Sequence, residues 1–145
     1  MKSPPKGWPR LSCSVFYRDP AAAIDWLCKA FGFECRLKVE GDAGQIVHSE
    51  LVFAEAVVMV GGVDGKLDYQ KRFRSPLDIG GGVTHALALY VDDVDAHHAR
   101  ALSAGAEIFR EPKTEDYGDD YWSDRSYGAY DPEGQIWFFM QRMRG

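Results

Sequence analysis

The chain has no apolar run near the roughly 20 residues that a membrane-spanning helix needs, and no signal-peptide pattern opens it. It is poor in sulfur. Three cysteines (Cys13, Cys28 and Cys35) are odd in number and lack metal-ligand spacing. That excludes a disulfide framework and a cysteine-ligated metal, and points to free thiols in a reducing, cytoplasmic compartment. Positive charge is also short: 17 Lys and Arg against 22 Asp and Glu leave a net charge of −5. Neither nucleic acid nor an anionic membrane is therefore an expected partner. No low-complexity segment is present, and no Ser-His-Asp or Cys-His arrangement has sequence support.

What is there is a repeat. At 145 residues, 46% hydrophobic and 27% charged, the chain can fill one ordinary core. Leu11 to Tyr17 reads as a strand, Asp19 as an N-cap, and Pro20 takes the favoured first helical position. Ile24, Leu27, Cys28 and Phe31 recur at helical spacing until Gly32 stops the run. Strands follow over Phe33 to Val39, Gln45 to Phe53 and Ala56 to Gly61, the last two as a hairpin around Ala54-Glu55. The second unit repeats the order: strand Val83 to Val91, a helix from Val94 capped by Asp92 or Asp93 and ended at Gly105, then strands over Glu107 to Pro112, Trp122 to Tyr130 and Gln135 to Arg142. Asp131-Pro132-Glu133-Gly134 has the composition of a tight turn. The expected architecture is α+β: two βαβββ modules, residues 10–63 and 83–142, forming a curved mixed sheet around a cleft. Residues 64–82, with Gly65, Pro76 and Gly80-Gly81-Gly82, read as a patternless connector and hinge. The glycine run is no phosphate loop, since it precedes a strand rather than a helix.

Asp-opened helices in a βαβββ repeat, with Asp-Pro-x-Gly-x-x-x-Phe closing the second unit, resemble the glyoxalase/bleomycin-resistance/extradiol-dioxygenase superfamily, the vicinal oxygen chelate fold. The specific pieces are Thr84 to Asp93 and Tyr130 to Phe139, and Trp122 to Gly128 looks like its PhnB-like branch. The resemblance implies a cleft, a divalent metal in catalytic members, and ligands from matching strand positions, two per module. Seven residues before the helix-opening Asp stand Ser12 and His85, the second counted from Asp92; the last-strand positions align at Met59 and Phe138. Ser, His, Met and Phe do not make the His/Glu/Gln shell that a divalent ion wants, so no cofactor is expected. An improvised alternative exists. With the hairpin turning at Ala54-Glu55, His48 and Glu50 share a face with Met59, and His48, Glu50 and His85 are the one candidate trio for a divalent metal or acid–base chemistry.

The expected ligand-binding residues are Ser12, Glu50, Met59, His85, Trp122, Tyr127 and Phe138. Tyr127 and Arg125 are placed on the side of Phe138 if the last hairpin turns on Asp131 to Gly134. His97 and His98 read as solvent-facing, and Lys71, Arg72 and Arg74 as solvated surface able to grip an anion. Two functions are carried forward. One is a metal-free binding protein holding an aromatic or planar small molecule, as in antibiotic sequestration. The other is a lyase, isomerase or dioxygenase using an altered metal site or Glu50/His85 acid–base chemistry. Members of the family commonly form homodimers, and the connector allows exchange of modules between chains.

Overall fold

A computed structural model describes residues 1–145. Module 1 runs β1 (Cys13–Tyr17), α1 (Pro20–Phe31), β2 (Glu34–Glu40), β3 (Ile46–Phe53) and β4 (Ala56–Gly62); module 2 runs β5 (Leu87–Tyr90), α2 (Val94–Ser103), β6 (Glu107–Asp116), β7 (Ser123–Tyr130) and β8 (Ile136–Arg144). Each module makes its own four-stranded mixed sheet, ordered β1-β4-β3-β2 and β5-β8-β7-β6, with the first and last strands of the module parallel. The two βαβββ units are thus present, as two sheets rather than one continuous sheet.

Helix starts are set by side chains. Asp19 accepts from the Ala22 N–H, and Asp93, not Asp92, accepts from the Ala96 N–H, each at 3.0 Å. Gly32 ends α1 in the left-handed conformation, at φ 82°. The last carbonyls of α1 are satisfied from α2. Arg100 donates to the Cys28 and Lys29 oxygens, and His97 Nε2 lies 2.8 Å from the Phe31 oxygen. A helix C-terminus leaves four carbonyls without intrahelical partners, and basic side chains there also oppose the dipole. In return, Trp26 Nε1 donates to the Ala104 oxygen at the end of α2.

This packing makes one core. Val15, Tyr17, Leu27, Phe31 and Val60 of module 1 join Leu87, Val94, Tyr127, Trp137 and Phe139 of module 2 in a single buried cluster. Phe31 meets Phe139 and Trp137 at 4.6 and 5.5 Å between ring centres. Both helices and one face of each sheet are spent on that core. The other face of each sheet, here the outer face, turns away from it.

Two expectations are corrected. His97 is not solvent-facing: a carbonyl can only accept, so Nε2 carries the proton towards Phe31, and Nδ1 accepts from the Tyr127 hydroxyl at 2.6 Å. Burial, with Arg100 adding to it, pulls its pKa below the usual 6.5, against the hydrogen bond to Phe31. Because the folded state disfavours the proton, its contribution is complete above about pH 6.5 and is lost as pH falls below that value. Thermal midpoints measured from pH 7.5 to 5 should fall more steeply for the wild type than for His97→Gln. Parallel curves would remove His97 as the source. His98 is enclosed too, with Nε2 at 3.1 Å from the Glu111 carboxylate.

Nor is the connector patternless. It forms short 3-10 turns at Gln70–Arg72 and Pro76–Asp78, the second with a capping box between Ser75 and Asp78. Ser75 and Pro76 are buried, Phe73 stacks on Phe16 with ring centres 3.8 Å apart, and Arg18 holds Asp78 at 2.6 Å. The hinge is strapped at three points.

Candidate functional site

The caps fix how the halves superpose. Asp19 matches Asp93, so buried Tyr17 matches buried Val91, and Val15 matches Leu89. Ser12 therefore matches Ala86, and His85 matches Leu11. Counting from Asp92 shifts module 2 by one residue. The last-strand pair survives: Cys13 lies beside Val58 and Leu87 beside Trp137, which sets Met59 against Phe138. The four matched positions hold a hydroxyl, a thioether, a methyl and a phenyl group. Such a donor set does not fit a divalent ion. Moreover, no three His, Cys, Asp or Glu side chains gather where they could hold a metal. Within one chain His48 and Glu50 pair on β3, and His85 does not join them.

On module 1 the outer face carries Ser12, Ser14, Phe16, Met59, His48 and Glu50. Ser49 and Leu51, the alternate residues of β3, point into the core instead, both 0% exposed. Glu50 is fully engaged. One oxygen meets His48 Nε2 at 2.7 Å and the other accepts from Arg36 Nε at 2.7 Å. The His48 hydrogen bond, and then Arg36, hold its carboxyl below the usual range. Arg36 also stacks on Trp8 at 4.8 Å and donates to the Gly7 oxygen. The N-terminal segment thus lies over one end of this face and buries Val57, which shares a cavity with Trp8.

The outer face of module 2 is more aromatic. Parallel pairing of β5 with β8 sets Ala88 beside Phe138 and Tyr90 beside Met140. Phe109 packs edge-on against Phe138 at 5.5 Å between ring centres, over Gly128, where any Cβ would meet its ring at 2.3 Å. Gly128 is there because that ring is there. Further along, the Arg142 guanidinium lies between Tyr90 and Trp122, 5.3 and 5.1 Å from their ring centres. Arg142 Nε donates to Asp124 at 2.6 Å, and the Tyr90 hydroxyl donates to the other carboxylate oxygen at 2.9 Å. Asp124 fixes the guanidinium plane, and Trp122, Tyr117 and Tyr121 continue the surface at 41%, 51% and 63% exposure. Contiguous exposed aromatic surface is a common feature of interaction sites.

Among the expected site residues, Ser12, Glu50 and Met59 share the first face, and Phe138 and Trp122 the second. Tyr127 does not join them. It is fully buried, paired with Phe139, and its hydroxyl pKa is pushed up by burial. The reason is the turn: Asp131 N–H bonds the Gln135 oxygen, so Gln135 belongs to a five-residue connection and Gly128, not Tyr127, faces Phe138. Arg125 pairs with Gln141 and binds Asp95 at 3.0 Å. His85 is exposed two residues before β5, 3.2 Å from the Thr84 hydroxyl. Tyr90, Arg142, Phe109 and Arg36 were missed. For Tyr90 and Arg142 a signal existed: stepping by two from Phe138 along β8 reaches Arg142, and Tyr90 lies two beyond Ala88 on the neighbouring strand.

Besides a pocket of about 290 Å3 where α1 meets α2, lined by Phe31, Phe53, Asp93 and His97 among others, two cavities draw on both modules. One, of about 350 Å3, runs between the free edges of β1 and β5 and is lined by Leu11, Ser12, Val58, Ala86, Leu87 and Trp137 among others. The second, of about 460 Å3, lies between the connector, Phe16 and His85. Glu50, Met59, Trp122 and Phe138 line neither. Within one copy the two outer faces thus approach each other along the β1 and β5 edges, where Ser12 and Ala86 line one cavity.

Comparison with known proteins agrees with this architecture. A family model described as Glyoxalase/Bleomycin resistance protein/Dioxygenase superfamily matches residues 11–139. The chain is 32% identical to the uncharacterized protein Mb0911c of Mycobacterium bovis over 136 residues, covering 94% of this chain and 85% of that one. Among solved structures, TioX from Micromonospora sp. ML1 superposes with a TM-score of 0.68 at 29% identity, covering 92% of this chain and 95% of that chain. A member of the same superfamily from Sphaerobacter thermophilus shares the fold with a TM-score of 0.67 at 20% identity, covering 92% of this chain and 97% of the other.

Proposed function

The chain belongs to the glyoxalase/bleomycin resistance/dioxygenase superfamily, and from that premise we propose that it is a metal-independent protein that binds an aromatic or planar small molecule. The observation that carries this is the content of the four matched positions. Ser12, Met59, Ala86 and Phe138 suit apolar contact and stacking where the resemblance would place a metal shell. Around Phe138 stand Phe109, Tyr90 and Trp122, with Arg142 held flat by Asp124 as a cationic shelf. A planar ligand gains both apolar burial and stacking there. Sequestration of a planar antibiotic is the form of this activity that the family's bleomycin-resistance branch suggests.

The cleft itself is placed between two copies. Each outer face is one half-wall, and both lead towards the unpaired edges of β1 and β5, where Leu11 is 87% exposed. Module 1 of one copy against module 2 of another covers these edges and closes the two half-walls on a ligand. Unpaired strand edges and exposed apolar side chains favour such a homodimer. A catalytic reading, as a lyase, isomerase or dioxygenase, has the paired His48 and Glu50 in its favour, although both Glu50 oxygens are already engaged.

Metal analysis of protein purified without chelator separates the two, because near-stoichiometric Ni, Zn, Mn or Fe would sink the metal-independent reading. Tryptophan-fluorescence titration with planar antibiotics should show quenching by at least one of them. Phe138→Ala should weaken that binding by about tenfold or more, the cost of a well-packed aromatic contact. Unchanged affinity would move the ligand off this face. Sedimentation at micromolar concentration should show a dimer, and a monomer would leave the cleft without its second wall.

A further inference from the structure

The chain has ten arginines, and eight of them reach a hydrogen-bond acceptor. Arg10 and Arg100 reach backbone oxygens; Arg18, Arg36, Arg110, Arg125, Arg142 and Arg144 reach carboxylates. Arg72 and Arg74 alone have no such partner, in a chain with an excess of acid. Both line the same cavity, about 460 Å3 in volume, between the connector and the start of β5. No carboxylate lines it. Asp78, next along the connector, is already bound by Arg18 at 2.6 Å. Much of the remaining wall is apolar: Phe16 and Phe73, stacked with an interplanar angle of 13°, together with Pro76, Ile79 and Val83. Thr84 and His85 add a hydroxyl and an imidazole on the β5 side.

Arg74 lies near enough to Asp78 to help hold its carboxyl low, but neither arginine makes a direct pair. Guanidinium groups free of direct partners on a cavity wall are paired when an oxyanion enters, and their planar fork suits carboxylate and phosphate alike. The volume lies within the range of small-molecule sites. The stacked phenylalanines offer a flat surface to whatever carries the charge. We propose that this cavity binds a small organic acid, its carboxylate or phosphate held by Arg72 and Arg74 and its flat apolar body lying against Phe16 and Phe73. The site adjoins the outer face of module 1, from which it takes Phe16. It uses neither Phe138 nor Met59, and does not depend on the binding proposed there.

Calorimetric titration of the full chain with 2-naphthoate, 2-naphthyl phosphate and the uncharged 2-naphthylmethanol tests it, the two acids distinguishing carboxylate from phosphate. At least one acid should bind about tenfold or more tighter than the alcohol, the advantage expected of a charge-assisted contact. The double variant Arg72→Ala/Arg74→Ala should reduce that acid to the level of the alcohol while leaving the thermal midpoint unchanged, since neither side chain holds a partner in the fold. Phe138→Ala should leave acid binding intact. Failure of both acids to bind, an alcohol that binds as well as they do, or acid affinity untouched by the double substitution would each overturn the proposal. So would a thermal midpoint that falls with the double substitution, because the arginines would then be holding the fold.

Discussion

Asp131→Ala is expected to destabilise the protein by about 4 kcal/mol, the upper range for breaking a buried charged network. Asp131 is 5% exposed and all four of its partners are donors. One carboxylate oxygen accepts from the Tyr17 hydroxyl at 2.6 Å and Trp137 Nε1 at 3.0 Å; the other accepts from the Glu133 and Gln135 N–H groups at 3.1 and 3.0 Å. Burial pushes its carboxyl upward while these donors hold it down. Alanine leaves the Tyr17 hydroxyl and the Trp137 indole without acceptors inside the core. Asparagine must turn an NH2 towards donors on one side or the other, and should cost about half as much by the same reasoning. For a chain of this size the alanine variant's thermal midpoint should drop by roughly 10 °C or more. A shift under about 3 °C would mean that the network contributes little.

Glu133→Ala is expected to cost about 3 kcal/mol, and to show itself first in the connector. Glu133 is 9% exposed and reaches across the molecule. One oxygen accepts from the Arg18 N–H and the Ser75 hydroxyl, the other from the Asp19 N–H. Its removal strips the corner between β1 and α1 of two acceptors and frees the buried end of residues 64–82. Limited trypsin digestion should then cut at Lys71, Arg72 or Arg74 well before the wild type is cut, since these bonds lie in the strap that Ser75 anchors. Equal digestion rates would show that Phe73 and Arg18 hold the connector unaided.

Much of the fold was legible from local chemistry. Asp19-Pro20 opens α1 and Gly32 closes it, and the Ala54-Glu55 hairpin turns where the alternation of His48, Glu50 and Val52 requires. Long-range geometry was not legible. Two adjacent aspartates at 92 and 93 offer equal caps, and only the burial of Val91 decides between them. The turn after Tyr130 carries one residue more than Asp-Pro-Glu-Gly suggests, because Asp131 folds back on Gln135; that single residue moves Tyr127 from the outer face into the core. His97 and Arg100 read as ordinary polar helix residues until α2 lies against the open carbonyls at the end of α1. The two outer faces were legible by alternation. How they sit relative to one another was not, because it follows from how the helices pack.

The reach of Glu133 also bears on how the chain is made. During synthesis, module 1 leaves the ribosome long before residue 133 does, and the Arg18 N–H waits for a partner 115 residues downstream. Tyr17 waits as long for Asp131, 114 residues on. A nascent first module therefore carries an open corner and an unfilled core until residues 131 to 133 have emerged. Contacts of such separation slow folding and tie both repeats to one transition. A chain stalled shortly before Asp131 should persist as an incompletely folded species of the kind that chaperones retain.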